Sequence, residues 1–532
     1  MTLSIIFAIL TIFGESYKKL DSWDLVFQNP IRSLSLLVIY TITFYILKKV
    51  LTNLIKKMET IKYKNNKITN AIFEKHPFII TLLIILICWL PIIIIKYPGT
   101  PGWDFYHFLN NYYNYDKGLT QHFPLLYVFF CVYIIKFGIF IKDISLGLFI
   151  LTMIHAATML IAFSLTFVYL KKWKVHYIYR WTILLFYCFN PIFSNYATTI
   201  YHDIPYSAFI LIYILLLADI CVEKGNITKN KMISLSIISL LILWSRKNGL
   251  YIVVPTDIII LFKYIIKNKN KKFNISAIAI PVIAFIISEN IFGIYYFHTS
   301  ILEIITIPIQ TLARYSRDYN EDISIEEKMD VNGFINYDLA GKLYNPVLVD
   351  PARNNAGNYF STNEEKIKFF KVWTKLFFRH PTVYIQAIIN NTYDLYYPFK
   401  NSTYIFTKVK EEENYSTIMN FDEPGALKPY KEMIRKCIDN FENIPIICYL
   451  DDPGIYTWFF IVLLVEIIKK EKEYLLPMVP LIMTILCCIA GPTIYWNTRY
   501  AFPIIFAIIP LFALYRRVHI DNNCLDKKDC NN

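Results

Sequence analysis

A few ionisable residues stand where a membrane-active chemistry would need them. Asp104 follows a Pro-Gly turn in KYPGTPGWDFYHFLNNYYNYDKGLTQHFP and is flanked by Trp103, Phe105, Tyr106 and His107. His202 and Asp203 sit in TTIYHDIPYSAF, Arg246, Lys247 and Asn248 in WSRKNGLY, and Arg499 and Tyr500 in GPTIYWNTRYAFP, each between two apolar runs. Arg314 lies in IPIQTLARYSRD. Two acids suit proton handling, and cations suit an anionic phosphate. Each residue also has a plainer reading. Asp104 and Asp203 would serve as helix N-caps, and Arg246 and Lys247 as snorkelling flanks of a membrane helix.

The composition identifies the setting. Of the 532 residues, 55% are hydrophobic, 17% aromatic and 18% charged, against roughly 25% charged in soluble domains. Apolar runs near 31–55, 77–96, 145–170, 180–199, 205–222, 232–245, 250–266, 275–297, 454–468, 474–491 and 500–515 read as membrane helices, which need about 20 apolar residues each. Residues 2–13 make a twelfth, because they lack the basic start and small-residue cleavage site of a removable leader. The expected class is an all-α polytopic membrane protein of about twelve helices (11–13). Its parts are an N-terminal helix pair with a basic loop (1–75), a membrane core (76–297), a mainly α extracytoplasmic insert (298–452) and a closing set of helices with a tail (453–532).

Charge placement sets the orientation. With the N-terminus inside, the loops 48–75, 171–180, 223–231, 263–272, 466–473 and 516–532 carry 27 basic and 9 acidic residues, a net of +18. The 298–452 segment carries 17 basic and 22 acidic residues, and the remaining charges cancel, so the overall +13 describes sidedness. Basic residues spread over alternate loops exclude a nucleic-acid surface. This register requires that 124–141 not cross the membrane, so it reads as an interfacial or re-entrant helix on the outer face. Asp104, Asp203, Arg246, Lys247, Arg314 and Arg499 then all fall on that face, at the ends of different helices. A site for a charged lipid substrate is assembled in this way.

Other polar residues read more simply. Asp219 is interfacial, Asp257 and the Glu289–Asn290 pair are packing partners or part of a polar cavity, and His155 is a hydrogen-bonded core histidine. No cysteine spacing suits a metal. Cys437 and Cys448 have the option of pairing outside, whereas Cys524 and Cys530 are expected as free thiols inside. The Asn-x-Ser/Thr triplets at Asn390, Asn401 and Asn414 are common by chance in an Asn-rich chain.

In order along the chain, YPGTPGWDFYHF, QHFPLL, IYHDIPYSAF, SRKNGLY, IPIQTLARYS, LYNPVLVDPARN, RHPTVYIQA and TRYAFPI resemble a family of multi-pass membrane proteins of Gram-positive bacteria. That family looks like a branch of the GT-C superfamily, which includes the protein O-mannosyltransferases and the aminoarabinose transferases of lipid A. The resemblance implies a GT-C-like fold in the bacterial cell membrane and an extracytoplasmic active face. It also implies a polyprenyl-phosphate sugar as donor, a cell-envelope glycan, lipid or protein as acceptor, and inversion at the anomeric carbon. Asp104 matches the catalytic acid of the first outer loop, and Asp203 that of the second. The nearer family places a Lys before the second acid where this chain has His202, and Trp103 stands where many members carry a further acid. Asp104 is accordingly expected as base, with Asp203 and His202 orienting it or the acceptor. Arg246, Lys247, Asn248, Arg314, Arg499 and Tyr500 are expected to bind substrate, with no metal and no cofactor. The alternative is a transporter or flippase of a lipid-linked or anionic envelope precursor, for which Asp257 and Glu289 would matter more than Asp104.

Overall fold

The computed structural model describes residues 1–60, 66–113, 119–120, 123–266, 271–292, 296–298, 302, 305–358, 361–399, 424–439, 444, 449–450, 452–491 and 498–526. Among these residues the architecture is helical, and the protein is an all-α polytopic membrane protein. Seven helices are long and apolar enough to cross a bilayer: Pro30–Glu59, Pro77–Ile95, Ile144–Lys172, Asp203–Val222, Lys272–Phe292, Lys472–Ala490 and Thr498–Ile520. Further expected spans form helices that are shorter or less apolar, at Thr2–Leu20, Lys229–Ser245, Gly249–Ile260 and Pro453–Lys470. The expected span 180–199 is broken. Helix Tyr177–Phe189 stops at Asn190, whose side chain caps a new short helix, Pro191–Ala197. Proline has no N–H to continue the first ladder and fits the first turn of the second.

Helix Asp203–Val222 forms the axis of the bundle, with 94% of its apolar window buried. It packs on Ile144–Lys172, Lys229–Ser245 and the C-terminal helix. Aromatic packing fills the space beside it: Phe163 stacks on Tyr187 at 3.9 Å, and the indole N–H of Trp89 donates to the Tyr187 carbonyl at 3.0 Å.

Helix Leu125–Phe140 folds back along the first half of Ile144–Lys172 through the turn at Lys142, whose φ is 60°. A Cβ on Gly138 would lie 2.9 Å from the Gly147 Cα, so the two helices touch backbone to backbone. Lys171 Nζ donates to the Glu74 carbonyl, which puts residues 74 and 171 at the same end of the bundle. Between those residues, Pro77–Ile95 and Ile144–Lys172 are long and apolar enough to cross a membrane, and Leu125–Phe140 is a shorter apolar helix. Ion pairs tie the helices together at this end: Arg180–Glu74 (2.9 Å), Lys172–Asp219 (2.7 Å), Lys231–Asp219 (2.6 Å) and Arg516–Glu59 (2.6 Å).

The described part of the insert is helical as well. Helices Thr306–Asp318, Ile325–Asn332, Asn363–Arg379 and Pro381–Thr392 enclose Leu312, Tyr315, Phe334, Phe369, Leu376 and Tyr384. Ser324 and Thr362 each open a helix with a capping box. Asn390 is buried and donates to the Asp21 carbonyl at 2.8 Å, so this triplet is not an accessible glycan acceptor. Cys437 is exposed. Cys448, Cys530, the Cys524 side chain, Asn401 and Asn414 lie outside the described residues.

Candidate functional site

A two-residue parallel ladder sets the site. Thr100–Pro101 pairs with Thr199–Ile200 in register, and the amides of Thr100 and Gly102 donate to the carbonyls of Thr198 (2.8 Å) and Ile200 (3.3 Å). Because the strands are parallel, the residues that follow them emerge side by side: Gly102-Trp103-Asp104 next to Tyr201-His202-Asp203. Gly102 permits this approach, since a Cβ there would meet the Tyr201 ring at 2.5 Å and the Ile200 carbonyl oxygen at 2.7 Å. The Tyr201 hydroxyl accepts the Trp103 amide at 3.3 Å.

Asp104 lies in the first turn of helix Trp103–Tyr113, and Asp203 begins helix Asp203–Val222. Both carboxylates gain from the helix dipoles, and the helix that Asp203 begins has no side-chain cap bond at its N-cap, His202. Arg499 Nη1 lies 2.5 Å from Asp104 Oδ2 and 3.3 Å from Asp203 Oδ2, and Arg246 Nη1 pairs closely with Asp203 Oδ1. The Arg499 guanidinium sits over the Tyr201 ring at 4.1 Å and donates to the Tyr500 hydroxyl at 3.2 Å, while Arg246 lies 4.7 Å from the Tyr500 ring centre. Two acids and two guanidiniums balance.

His202 lies between the carboxylates. Its Nδ1 is 3.6 Å from Asp104 Oδ2 and its Nε2 3.8 Å from Asp203 Oδ1, both beyond hydrogen-bond length. Phe123 and Tyr127 hold the ring edge-on at 5.3 and 6.1 Å. Burial pushes the imidazole below its ordinary pKa; Asp203 and Asp104 oppose that shift, and Arg246 and Arg499 add to it. Tyr127 is fixed in turn by donating to His155 Nε2 at 2.9 Å, because His155 Nδ1 donates to the Leu151 carbonyl at 2.8 Å. His155 is thus the core histidine that the sequence suggests.

The side chains of Asp203, Arg499 and His202 are 0%, 7% and 8% exposed, against 14% for Arg246 and 18% for Asp104, so the cluster opens on the Asp104–Arg246 side. Asp203 Oδ2, His202 Nδ1 and Arg499 Nε have no hydrogen-bond partner. Each such group costs about 1–3 kcal/mol when buried, and a ligand with both donors and acceptors would satisfy them. The ligand atoms of Asp104, His202 and Asp203 lie within 4.8 Å of one another, a spacing that a divalent ion could bridge. Arg499 already bridges the two carboxylates, so an ion would have to displace it, and we assign no metal to these residues.

Six of the expected residues therefore meet: Asp104, His202, Asp203, Arg246, Arg499 and Tyr500. Three do not. Lys247 pairs with Glu289 Oε2 at 2.7 Å, and Glu289 also accepts the Leu125 amide. Asn248 stands at the N-cap of Gly249–Ile260 without a side-chain cap bond. Arg314 pairs with Asp21 (3.3 Å) and Asp318 (3.2 Å), where it fastens the insert to the turn after helix Thr2–Leu20. Asp257 accepts from Tyr213 at 2.8 Å inside the bundle, apart from the cluster. Gly102, Tyr201 and Tyr127 escape the sequence reading; the one signal for Tyr201 is its place directly before His202 and Asp203.

Fold and cluster together define a polytopic helical membrane protein with a buried, charge-balanced site where several helices end. The chain belongs to a family of unknown function, DUF6020, whose model matches residues 114–524. His202, Asp203, Arg246 and Arg499 fall inside the matched stretch, and Asp104 precedes it. No curated protein and no solved structure matches the chain.

Proposed function

We propose that the protein is a GT-C-like glycosyltransferase of about twelve membrane helices in the bacterial cell membrane. It moves a sugar from a polyprenyl-phosphate donor to a cell-envelope acceptor on the outer face. The observation that carries this reading is the Asp104–Arg499–Asp203–Arg246 cluster, which combines paired cations with buried polar groups left without hydrogen-bond partners. Arg246 and Arg499 receive the departing phosphate as charge develops on it. The acceptor hydroxyl enters on the open side at Asp104, next to His202, and its attack on the anomeric carbon displaces the phosphate with inversion. Trp103 and Tyr106, on the first turn of the Asp104 helix, supply aromatic surface for a sugar ring.

The transporter alternative gains no specific support, because Asp257 and Glu289 are each engaged in separate pairs. The test is transfer from radiolabelled polyprenyl-phosphate hexoses and pentoses to an envelope extract by purified protein in lipid. Wild type is expected to consume a donor, and Asp104→Asn to lose at least about a hundredfold in rate, at the lower end of what one preorganised electrostatic group contributes. Undiminished transfer by the variant removes Asp104 from the reaction.

A further inference from the structure

Asp104 and His202 face each other but differ in what holds them. The Asp104 Oδ2 lone pairs are engaged by Arg499 at 2.5 Å. His202 Nδ1, on a ring 7% exposed, has no hydrogen-bond partner. The 3.6 Å between that nitrogen and Asp104 Oδ2 is too long for a hydrogen bond. A substrate hydroxyl has one proton to give; donated to Nδ1 at about 2.8 Å, it leaves Asp104, an acceptor held by Arg499, facing the ring as a negative charge.

The surroundings of the ring favour the neutral form. Asp104 faces it from helix Trp103–Tyr113 and Asp203 from its own helix; Arg246 faces it from the turn after Lys229–Ser245, and Arg499 from the short helix Thr498–Ala501. Tyr127 and His155 lie behind it, both occupied with each other. The two acids and two guanidiniums cancel, so burial decides. Nε2 lies on the Asp203 side, which leaves Nδ1, buried and without a hydrogen-bond partner, as the lone pair on the Asp104 side.

We propose that His202 Nδ1 is the proton acceptor of the transfer step, while Asp104 stabilises the imidazolium that forms. This rests on the glycosyl-transfer reading. In the step, the hydroxyl O–H bond breaks and its proton goes to Nδ1. The oxygen pair forms the new bond to the anomeric carbon, and the carbon–oxygen bond to phosphate breaks with its pair leaving on the polyprenyl phosphate. The added positive charge lies between two carboxylates, as in histidine–acid pairs generally.

Two measurements test it. In protein carrying ¹⁵N-histidine in lipid nanodiscs, the His202 ring, assigned by its loss in His202→Gln, is expected at neutral pH to be uncharged with its proton on Nε2. An imidazolium or an Nδ1–H ring at that pH overturns the proposal. In the donor assay, the wild-type rate is expected to fall on acidification with a midpoint below the ordinary histidine value of about 6.5. His202→Gln is expected to lose that limb and about 10²–10⁴-fold in rate. Asp104→Asn, also slow, keeps the limb but moves it to lower pH, because a negative charge that favours the imidazolium is gone. A limb that survives in His202→Gln and vanishes in Asp104→Asn overturns the assignment while leaving glycosyl transfer standing. Failure of wild type to consume any donor overturns the transfer reading itself.

Discussion

Arg499→Gln probes the cluster most sharply. The side chain is 7% exposed and bridges two acids, one of them fully buried. Removing one partner of a buried ion pair costs about 3–5 kcal/mol, because the other charge is stranded. Here the cost falls at the lower end: Asp203 keeps Arg246, and Asp104 at 18% exposure reaches water. Loss of the stacking on Tyr201 adds up to about 1 kcal/mol, giving about 3–4 kcal/mol in all. Asp104→Asn alone is expected to cost about 1–2 kcal/mol, since Arg499 retains Asp203. The double variant is expected to be more stable than the sum of the singles by at least about 1 kcal/mol, within the range found for contacting charges. Equilibrium unfolding in mixed micelles measures all three. Additivity within about 0.5 kcal/mol, or an Arg499→Gln cost below about 1 kcal/mol, refutes the buried bridge.

Other expectations follow from particular contacts. Gly102→Ala places a methyl 2.5 Å from the Tyr201 ring and is expected to cost about 1–3 kcal/mol by overpacking and to lower transfer, whereas the same change at open Gly425 is neutral; thermal unfolding compares them. Burial of the Glu327 carboxyl works to raise its pKa, but Lys375 and Arg379 outweigh that and hold it at about 2, below its ordinary 4.5. The stability it adds is complete above 4.5 and is lost as pH falls towards 2; protease sensitivity of the insert is expected to rise over that window in wild type, and Glu327→Gln to lack that dependence. Arg314→Ala leaves Asp21 with fewer partners and is expected to loosen the insert from the N-terminal helix pair, read by faster proteolysis, while sparing the ion pairs of the Asp104 cluster.

Apolar runs and charge asymmetry made the helical class legible, because a lipid-facing segment has few other compositions open to it. The acids and Arg499 stood out for the same reason, since ionisable groups beside apolar runs are costly and call for a partner. What remained hidden depends on contacts distant in sequence. The ladder that brings residue 100 to residue 199 has only two residues on each strand, too short for any periodicity, so neither Gly102 nor Tyr201 could announce itself. Arg314 looked like a site cation because its partner, Asp21, lies far off in sequence, in the turn after helix Thr2–Leu20. Lys247 looked the same because Glu289 reads as a solitary membrane acid until the helices are packed. The span expected at 180–199 ignored the Asn190–Pro191 signal, which breaks it as proline geometry requires.

The most direct measurement counts products. Wild-type protein in lipid, given a radiolabelled polyprenyl-phosphate sugar and envelope extract, should release one free polyprenyl phosphate for each sugar attached to acceptor, and Arg246→Gln and Asp104→Asn should do so at least about a hundredfold more slowly. Donor that crosses the membrane or stays bound with its sugar–phosphate bond intact in wild type would contradict the account.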